Sequence, residues 1–268
     1  DLYGLIVGRY QAGNGHFDGY LDDIRITKGV ARYTSNFTPP TAGFSTLTPV
    51  EPYFHNNSLL LHGDGTNGST TFTDDSINNH TITANGNAQI STAQKKFGGA
   101  SMKFDGSDDY LSIADDDAFN FGSGDFTMEA WVYMTSQGSF NFLAGQYGSS
   151  NSNSTTFWSI ANGNNDCYFY YGGTFSRLSG TTSISLNTWT HVAVSREGNT
   201  VRLFTNGQVD ASGSLAQTLN NSTLDFTVGA DSAASYDFSG YMDDIRITKG
   251  VARYTANFTP PTSAFPDL

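Results

Sequence analysis

Two stretches of this 268-residue chain are nearly the same. Gly19–Phe44 reads GYLDDIRITKGVARYTSNFTPPTAGF. Gly240–Phe265 reads GYMDDIRITKGVARYTANFTPPTSAF, with 22 of 26 positions identical at an offset of 221. The register continues upstream without a gap, yet only 4 of the 18 positions before Gly19 agree. Solenoid units repeat every ~20–45 residues, so a period this long is that of a domain with its linker. The chain therefore reads as the end of one unit (residues 1–44), a linker (45–57) and a complete unit (58–268). The opening DLYGLIVG reads as a strand already in progress, which implies an earlier natural start. A strand pair alone cannot bury its apolar face. Residues 1–44 are thus expected to dock on another domain, or on neighbouring copies of the same protein, by adding strands to an open edge.

Within the complete unit the texture is all-β. The sequence holds 29 glycines, 20 phenylalanines and 14 tyrosines. Short apolar runs are bounded by Asp-Gly and Asn-Gly turns. SLLLHGDG, ASMKFDGSDDYLSI and DFTMEAWVYM read as strands, and HTITANGNAQI reads as two strands about an Asn-Gly hairpin turn. WTHVAVSREGNTVRLFTNGQVD is a three-strand meander with period-two alternation. DDDAFNFGSG reads as a short helical turn. About a dozen strands and no long amphipathic helix predict an antiparallel two-sheet jelly-roll sandwich. Single Cys167 excludes an intrachain disulfide. No apolar run reaches the ~20 residues of a membrane span, and a net charge of −12 opposes nucleic acid.

The ordered set SLLLHGDGTNGSTTFTDDSINNHTIT, FGGASMKFDGSDDYLSI, DFTMEAWVY, NTWTHVAVSREGNTVRLFTNGQ and FSGYMDDIRITKGVARYT resembles the laminin-G-like jelly-roll domain of the concanavalin A-like lectin/glucanase superfamily. The resemblance spans 58–265, and its last part matches again in 1–44. The DDIRITKGVARYT…FTPPT ending is similar to versions found in tandem in phage and marine bacterial surface or virion proteins. The resemblance implies a sandwich that commonly carries a structural calcium and often binds glycans. It does not fix function, because one fold hosts enzymes, lectins and spacers.

Three acidic clusters are candidate calcium ligands, since Ca²⁺ takes 6–8 oxygens. They are Asp64, Asp74 with Asp75, and Asp243 with Asp244. The first and last strands of a jelly roll tend to be neighbours, so Asp64 and Asp243 are expected to converge with the 74–79 loop. The alternative is that these are turn and edge aspartates bonding backbone amides. For a glycan, exposed rings beside polar loops are needed. The candidates are Tyr147, Trp158, Tyr168, Tyr170 and Asn164, with loops 148–154 and 162–166. In a strand Tyr168 and Tyr170 face one way while Phe169 and Tyr171 face the other, so one set is core.

Catalysis is disfavoured by the acid inventory. There are only three glutamates, Glu51, Glu129 and Glu197. Glu129 has no second acid on its strand, as paired-carboxylate glycosidases require. Asp243 and Asp244, being adjacent, are expected to point to opposite faces. No G-x-S-x-G elbow occurs, and the five histidines show no zinc spacing. The sequence thus reads as a non-catalytic adhesion or recognition module with a glycan ligand, located extracellularly, on a cell surface or on a virion. The rival is a structural filament or spacer subunit assembling through residues 1–44.

Overall fold

The computed structural model describes residues 51–138, 140–147, 156–161, 166–171 and 176–267, with scattered positions before residue 51. The chain divides into two units, Asp1–Val50 and Glu51–Leu268. The strand pairing expected in residues 1–44 lies outside the described residues.

The second unit contains β1 (Asn57–Leu61), β2 (Thr83–Asn85), β3 (Gln89–Ser91), β4 (Ser101–Asp105), β5 (Tyr110–Ile113), β6 (Phe126–Met134), β7 (Phe140–Gln146) and β8 (Thr156–Ala161). There follow β9 (Asp166–Tyr171), β10 (Ser176–Ser179), β11 (Thr190–Glu197), β12 (Thr200–Thr205), β13 (Gln208–Ser214), β14 (Phe226–Val228) and β15 (Ser239–Lys249). The first sheet has eight strands ordered β13-β12-β11-β6-β15-β4-β3, with β1 also paired to β15. The second has seven, ordered β10-β9-β8-β7-β14-β5-β2. All pairs are antiparallel, as the sandwich expectation required. The expected helical turn is a 3₁₀ turn at Asp117–Phe119, capped by the Asp116 carboxylate on the Ala118 amide.

Between the sheets, alternate residues interdigitate. Met128, Ala130 and Val132 of β6 meet Leu143, Trp158 and Phe169 of the second sheet in one core. The turn read as a hairpin, and a second turn near it, do something else. Asn85-Gly86 links β2 of the second sheet to β3 of the first, and Asp105-Gly106 links β4 to β5 across the same gap. The buried Asp109 carboxylate accepts from the Asp105 amide at 2.7 Å and from the Asn87 amide, so it clamps both corners. An Asn-Gly signal dictates reversal of direction, and tertiary contacts decide whether the flanking strands pair. Asn206-Gly207, by contrast, does join the paired strands β12 and β13.

The span read as a linker also needs correction. Glu51 is buried, and its carboxylate takes a two-pronged ion pair from Arg253. Phe54 packs with Leu60 and Phe265. Residues 51–57 therefore belong to the complete unit.

The outer face of the first sheet is closed by its own chain. Glu129, on the central strand β6, is fully buried and points away from the core. Arg246 of β15 donates to its Oε1 from Nε at 2.9 Å and from Nη2 at 2.7 Å. The Tyr254 hydroxyl donates to Oε2 at 2.8 Å, and His191 Nε2 lies 3.2 Å from the same oxygen. Tyr254 stacks on Phe258 with centroids 3.5 Å apart, and both rings lie against Phe204 and His191. The segment after β15 is thus the lid over a buried charge network.

Burial alone would push the Glu129 carboxyl up, but Arg246 and His191 outweigh it and hold it at about 2, below the ordinary 4.5. Its stabilising contribution is therefore full above pH 4.5 and lost as pH falls toward 2. Glu129→Gln leaves Arg246 buried without its hydrogen-bonded counter-charge, with Glu51 remaining at 3.8 Å, and should cost about 3 kcal/mol near neutrality. Urea unfolding of both proteins checks this, and the gap between them should close on acidification below the carboxylate range.

Candidate functional site

The second sheet presents an outer face with a cavity. One rung crosses all seven strands of that face: Thr83, Ser112, Thr227, Gly145, Phe157, Tyr170 and Arg177, each laterally paired with the next. It is polar on one side of Gly145 and aromatic on the other. Gly145, at φ +149°, is the bare step between them, where a Cβ would run into the Thr156 carbonyl.

The polar half holds a cavity of about 370 Å³, lined by Asn85, Tyr110, Ser112, Thr223, Leu224, Asp225, Thr227 and Ser232. Alternation in β5 builds its floor, because Leu111 and Ile113 are buried in the core while Tyr110 and Ser112 face outward, half-buried. Asn85 Nδ2 donates to Ser112 Oγ at 3.1 Å. The wall is fixed from below: Gln146 Nε2 donates to the Leu224 carbonyl at 2.8 Å and to Asp115 at 2.9 Å. Asp225 and Thr223 are left exposed at the rim. The lining thus offers hydroxyls, an amide, a carboxylate and one ring.

The aromatic half joins the cavity through Ser232, whose amide and hydroxyl both donate to the Tyr147 carbonyl at 3.1 and 2.9 Å. Phe142, Tyr147, Phe157 and Tyr170 form a buried cluster, with Phe140, Tyr168 and Tyr236 half-exposed around it. Phe157 and Tyr170 stack at 4.4 Å. Asp231 Oδ1 accepts from the amides of Ser235 and Tyr236, which sets the loop that holds Tyr236 against Phe140. Burial, together with Tyr236 and Asp231, pushes the Tyr147 hydroxyl up to about 12.

Of the expected ligand residues, Tyr147, Tyr168 and Tyr170 point to this face, but only Tyr168 is half-exposed; the rings expected to be exposed at Tyr147 and Tyr170 are packed under their neighbours. Trp158 is a correction: it points into the core at 0 % exposure, with Cys167 and Phe169, and has no ring face to offer a ligand. Asn164 and the loops 148–154 and 162–165 lie outside the described residues. Asn85, Tyr110, Ser112, Asp225 and Arg177 escaped the sequence reading. The period-two alternation of YLSI was the one signal that marked any of them.

The aspartates expected to bind calcium gather near one edge of the first sheet but serve backbone amides. Asp64 accepts from Gly99 and Ala100 at 2.6 and 3.0 Å, and Asp243 from Lys96 and Phe97 at 2.7 and 3.1 Å, so both hold the segment before β4. Asp74 accepts from the amides of Leu60, Ser76 and His80. Asp244 binds His62 at 2.5 Å and the Phe265 amide at 2.9 Å. Asp75 lines a cavity of about 300 Å³ with His62, Asp64 and Asp267. Asp243 and Asp244 do not face oppositely. Asp244 sits at φ +47° in a bulge of β15, which turns Ile245 rather than Asp244 into the core and leaves both acids outside it. Among the described residues no group of three or more His, Cys, Asp or Glu is arranged to hold a metal ion. As placed, Asp64, Asp74, Asp243 and Asp244 are acceptors for backbone amides, with Asp244 also bound to His62.

A family model described as the concanavalin A-like lectin/glucanases superfamily (Laminin_G_3) matches residues 105–253, more than half of the chain. No curated protein matches the chain in sequence. Among solved structures, the binding domain of Paraclostridial Mosquitocidal Protein 1 is similar with a TM-score of 0.58 and 15% identity, over 74% of this chain and 50% of that one. Domain 4 of AbnA, a GH43 extracellular arabinanase from Geobacillus stearothermophilus in complex with arabinotriose, gives 0.56 and 17%, over 74% and 94%. The binding domain of Botulinum Neurotoxin DC in complex with SialylT gives 0.55 and 15%, over 74% and 49%. The chain spans about half the length of the toxin structures it matches. At these identities the likeness is one of fold. No helix among the described residues is long and apolar enough to cross a membrane.

The acidic edge generates two expectations. Burial alone would lower the His62 pKa, but its bonds to Asp244 and Asp267 raise it to about 9 from the ordinary 6.5. Its stabilisation is therefore full below pH 6.5 and lost as pH rises through 9. Burial raises Asp243 to about 7 despite the amides of Phe97 and Lys96, so its ionisation removes stability between pH 3.8 and 7. His62→Gln should lower the unfolding midpoint at pH 6, with the difference from the parent vanishing above pH ~10, where both proteins lack the charge. Added EDTA should leave the midpoint of the parent protein unchanged in the same calorimetric scans.

Proposed function

We propose a binding function for this chain, which belongs to the concanavalin A-like lectin/glucanases superfamily: it is a non-catalytic, carbohydrate-binding module acting outside the cell. The observation that carries the reading is the polar cavity floored by Tyr110 and Ser112 and rimmed by Asp225 on the outer face of the second sheet. A sugar presents apolar C–H faces and a belt of hydroxyls. It needs a ring to stack on and a few fixed donors and acceptors. Tyr110, Asn85, Ser112 and Asp225 are such a set. The solved structures of similar fold are binding domains, one captured with arabinotriose and one with SialylT, which supports the same class of ligand.

The acids support a non-catalytic reading. Glu129 is fully buried against Arg246, Glu51 is paired with Arg253, and Glu197 is the exposed last residue of β11, beside Arg202. None of the three faces the cavity.

One observation favours a further role in a tandem fibre. Arg25, Arg32 and Tyr33 stand in residues 1–44 at the positions of Arg246, Arg253 and Tyr254. In the complete unit those side chains answer the buried Glu129 and Glu51. We infer that residues 1–44 close a second unit of the same kind, in the same chain or on a neighbouring copy.

Screening the protein on a glycan array and measuring the best ligand by calorimetry tests the binding reading. Tyr110→Ala and Asp225→Ala should each weaken binding about tenfold or more, with unchanged unfolding midpoints. Saturable binding that survives both substitutions would remove the cavity from the proposal.

A further inference from the structure

We propose that the aromatic end of this face selects glycans bearing an anionic group, a carboxylate or a sulfate, and that Arg177 reads it. The inference rests on the glycan reading above and sharpens it to a ligand class.

The charge inventory isolates Arg177. Arg246 and Arg253 are held by Glu129 and Glu51, and Arg202 by Glu197. Arg196 donates to four carbonyls, those of Gly198, Gly122, Leu215 and Gln217. Among the described arginines, Arg177 alone has neither a carboxylate nor a carbonyl partner. Its guanidinium carbon lies 5.2 Å from the Tyr168 ring and 5.9 Å from the Tyr170 ring. Its hydrogen-bonding contact is with the Tyr170 hydroxyl. The side chain is exposed, at the end of the rung that begins beside the cavity. Two rings thus hold a cation in place, and its fork keeps donors beyond the Tyr170 contact to offer a ligand. That fork matches two oxygens of a carboxylate or sulfate, and part of the ordering is already done before the ligand arrives.

The test is an array of carboxylated and sulfated oligosaccharides, each printed beside its carboxyl-reduced or desulfated counterpart, probed at physiological salt. The parent protein should bind the anionic member of a pair about tenfold tighter, and Arg177→Gln should abolish the preference while still binding the neutral member. Arg177→Lys should retain part of it, because the charge stays and the fork is lost. Equal binding of both members by the parent, or a preference that survives Arg177→Gln, overturns the inference. Neutral binding that Tyr110→Ala removes, with no anionic preference, overturns it while leaving the glycan reading intact. Binding to no glycan of either kind overturns both.

Discussion

Glu129 sits at the centre of the central strand of the first sheet, and its charge must be answered there or the sheet carries an uncompensated buried carboxylate. The answer comes from a neighbouring strand, Arg246, and from a segment beyond the last strand, Tyr254. Arg253, beside Tyr254, is turned toward Glu51 at the entrance of the unit. The string DDIRITKGVARYT is thereby explained as chemistry. Its arginines and tyrosine are the groups that neutralise and roof the outer face of one sheet. This also explains why the duplicated similarity is concentrated in the last strand and the exit, and fades upstream of Gly19.

The same arrangement sets where binding can occur. The first sheet has one face in the core and the other under its own exit segment, with Tyr254 and Phe258 stacked across it. The second sheet shares the core, but among the described residues of its unit none forms such a roof over β2, β5 and β14, where its outward side chains line a cavity. A symmetric sandwich would have two equivalent outer faces. Here the exit segment closes one, and the cavity of the proposed site lies on the other.

Much of the fold was legible because β-sandwiches write themselves in local pattern. Alternation in YLSI and WTHVAVS, with Gly at the turns, marked strands and their two faces. Where reading failed, longer-range terms decided. Asn85-Gly86 looked like a hairpin, but Asp109, more than twenty residues on, pins that corner to another and sends the strands to different sheets. Alternation assigned Asp243 and Asp244 to opposite faces, but a bulge with Asp244 in the left-handed region resets the parity. The faces of Tyr168 and Tyr170 were separable from those of Phe169 and Tyr171, but which set is core depended on the partner sheet. Trp158 was misplaced for the same reason. The acids were legible as a group and not in their role, because amide acceptors and metal ligands draw on the same residue type.

Glu51 and Arg253 are 202 positions apart and grip each other at the base of the unit, while Asp267 is tied to His62 just beyond β1. Mechanically, these contacts make the sandwich a closed loop hung from a clasp. Tension applied through the chain at Glu51 and Asp267 loads the two ion pairs and the exit segment before it reaches any strand of the second sheet. The face proposed for binding belongs to the other sheet, away from that clasp.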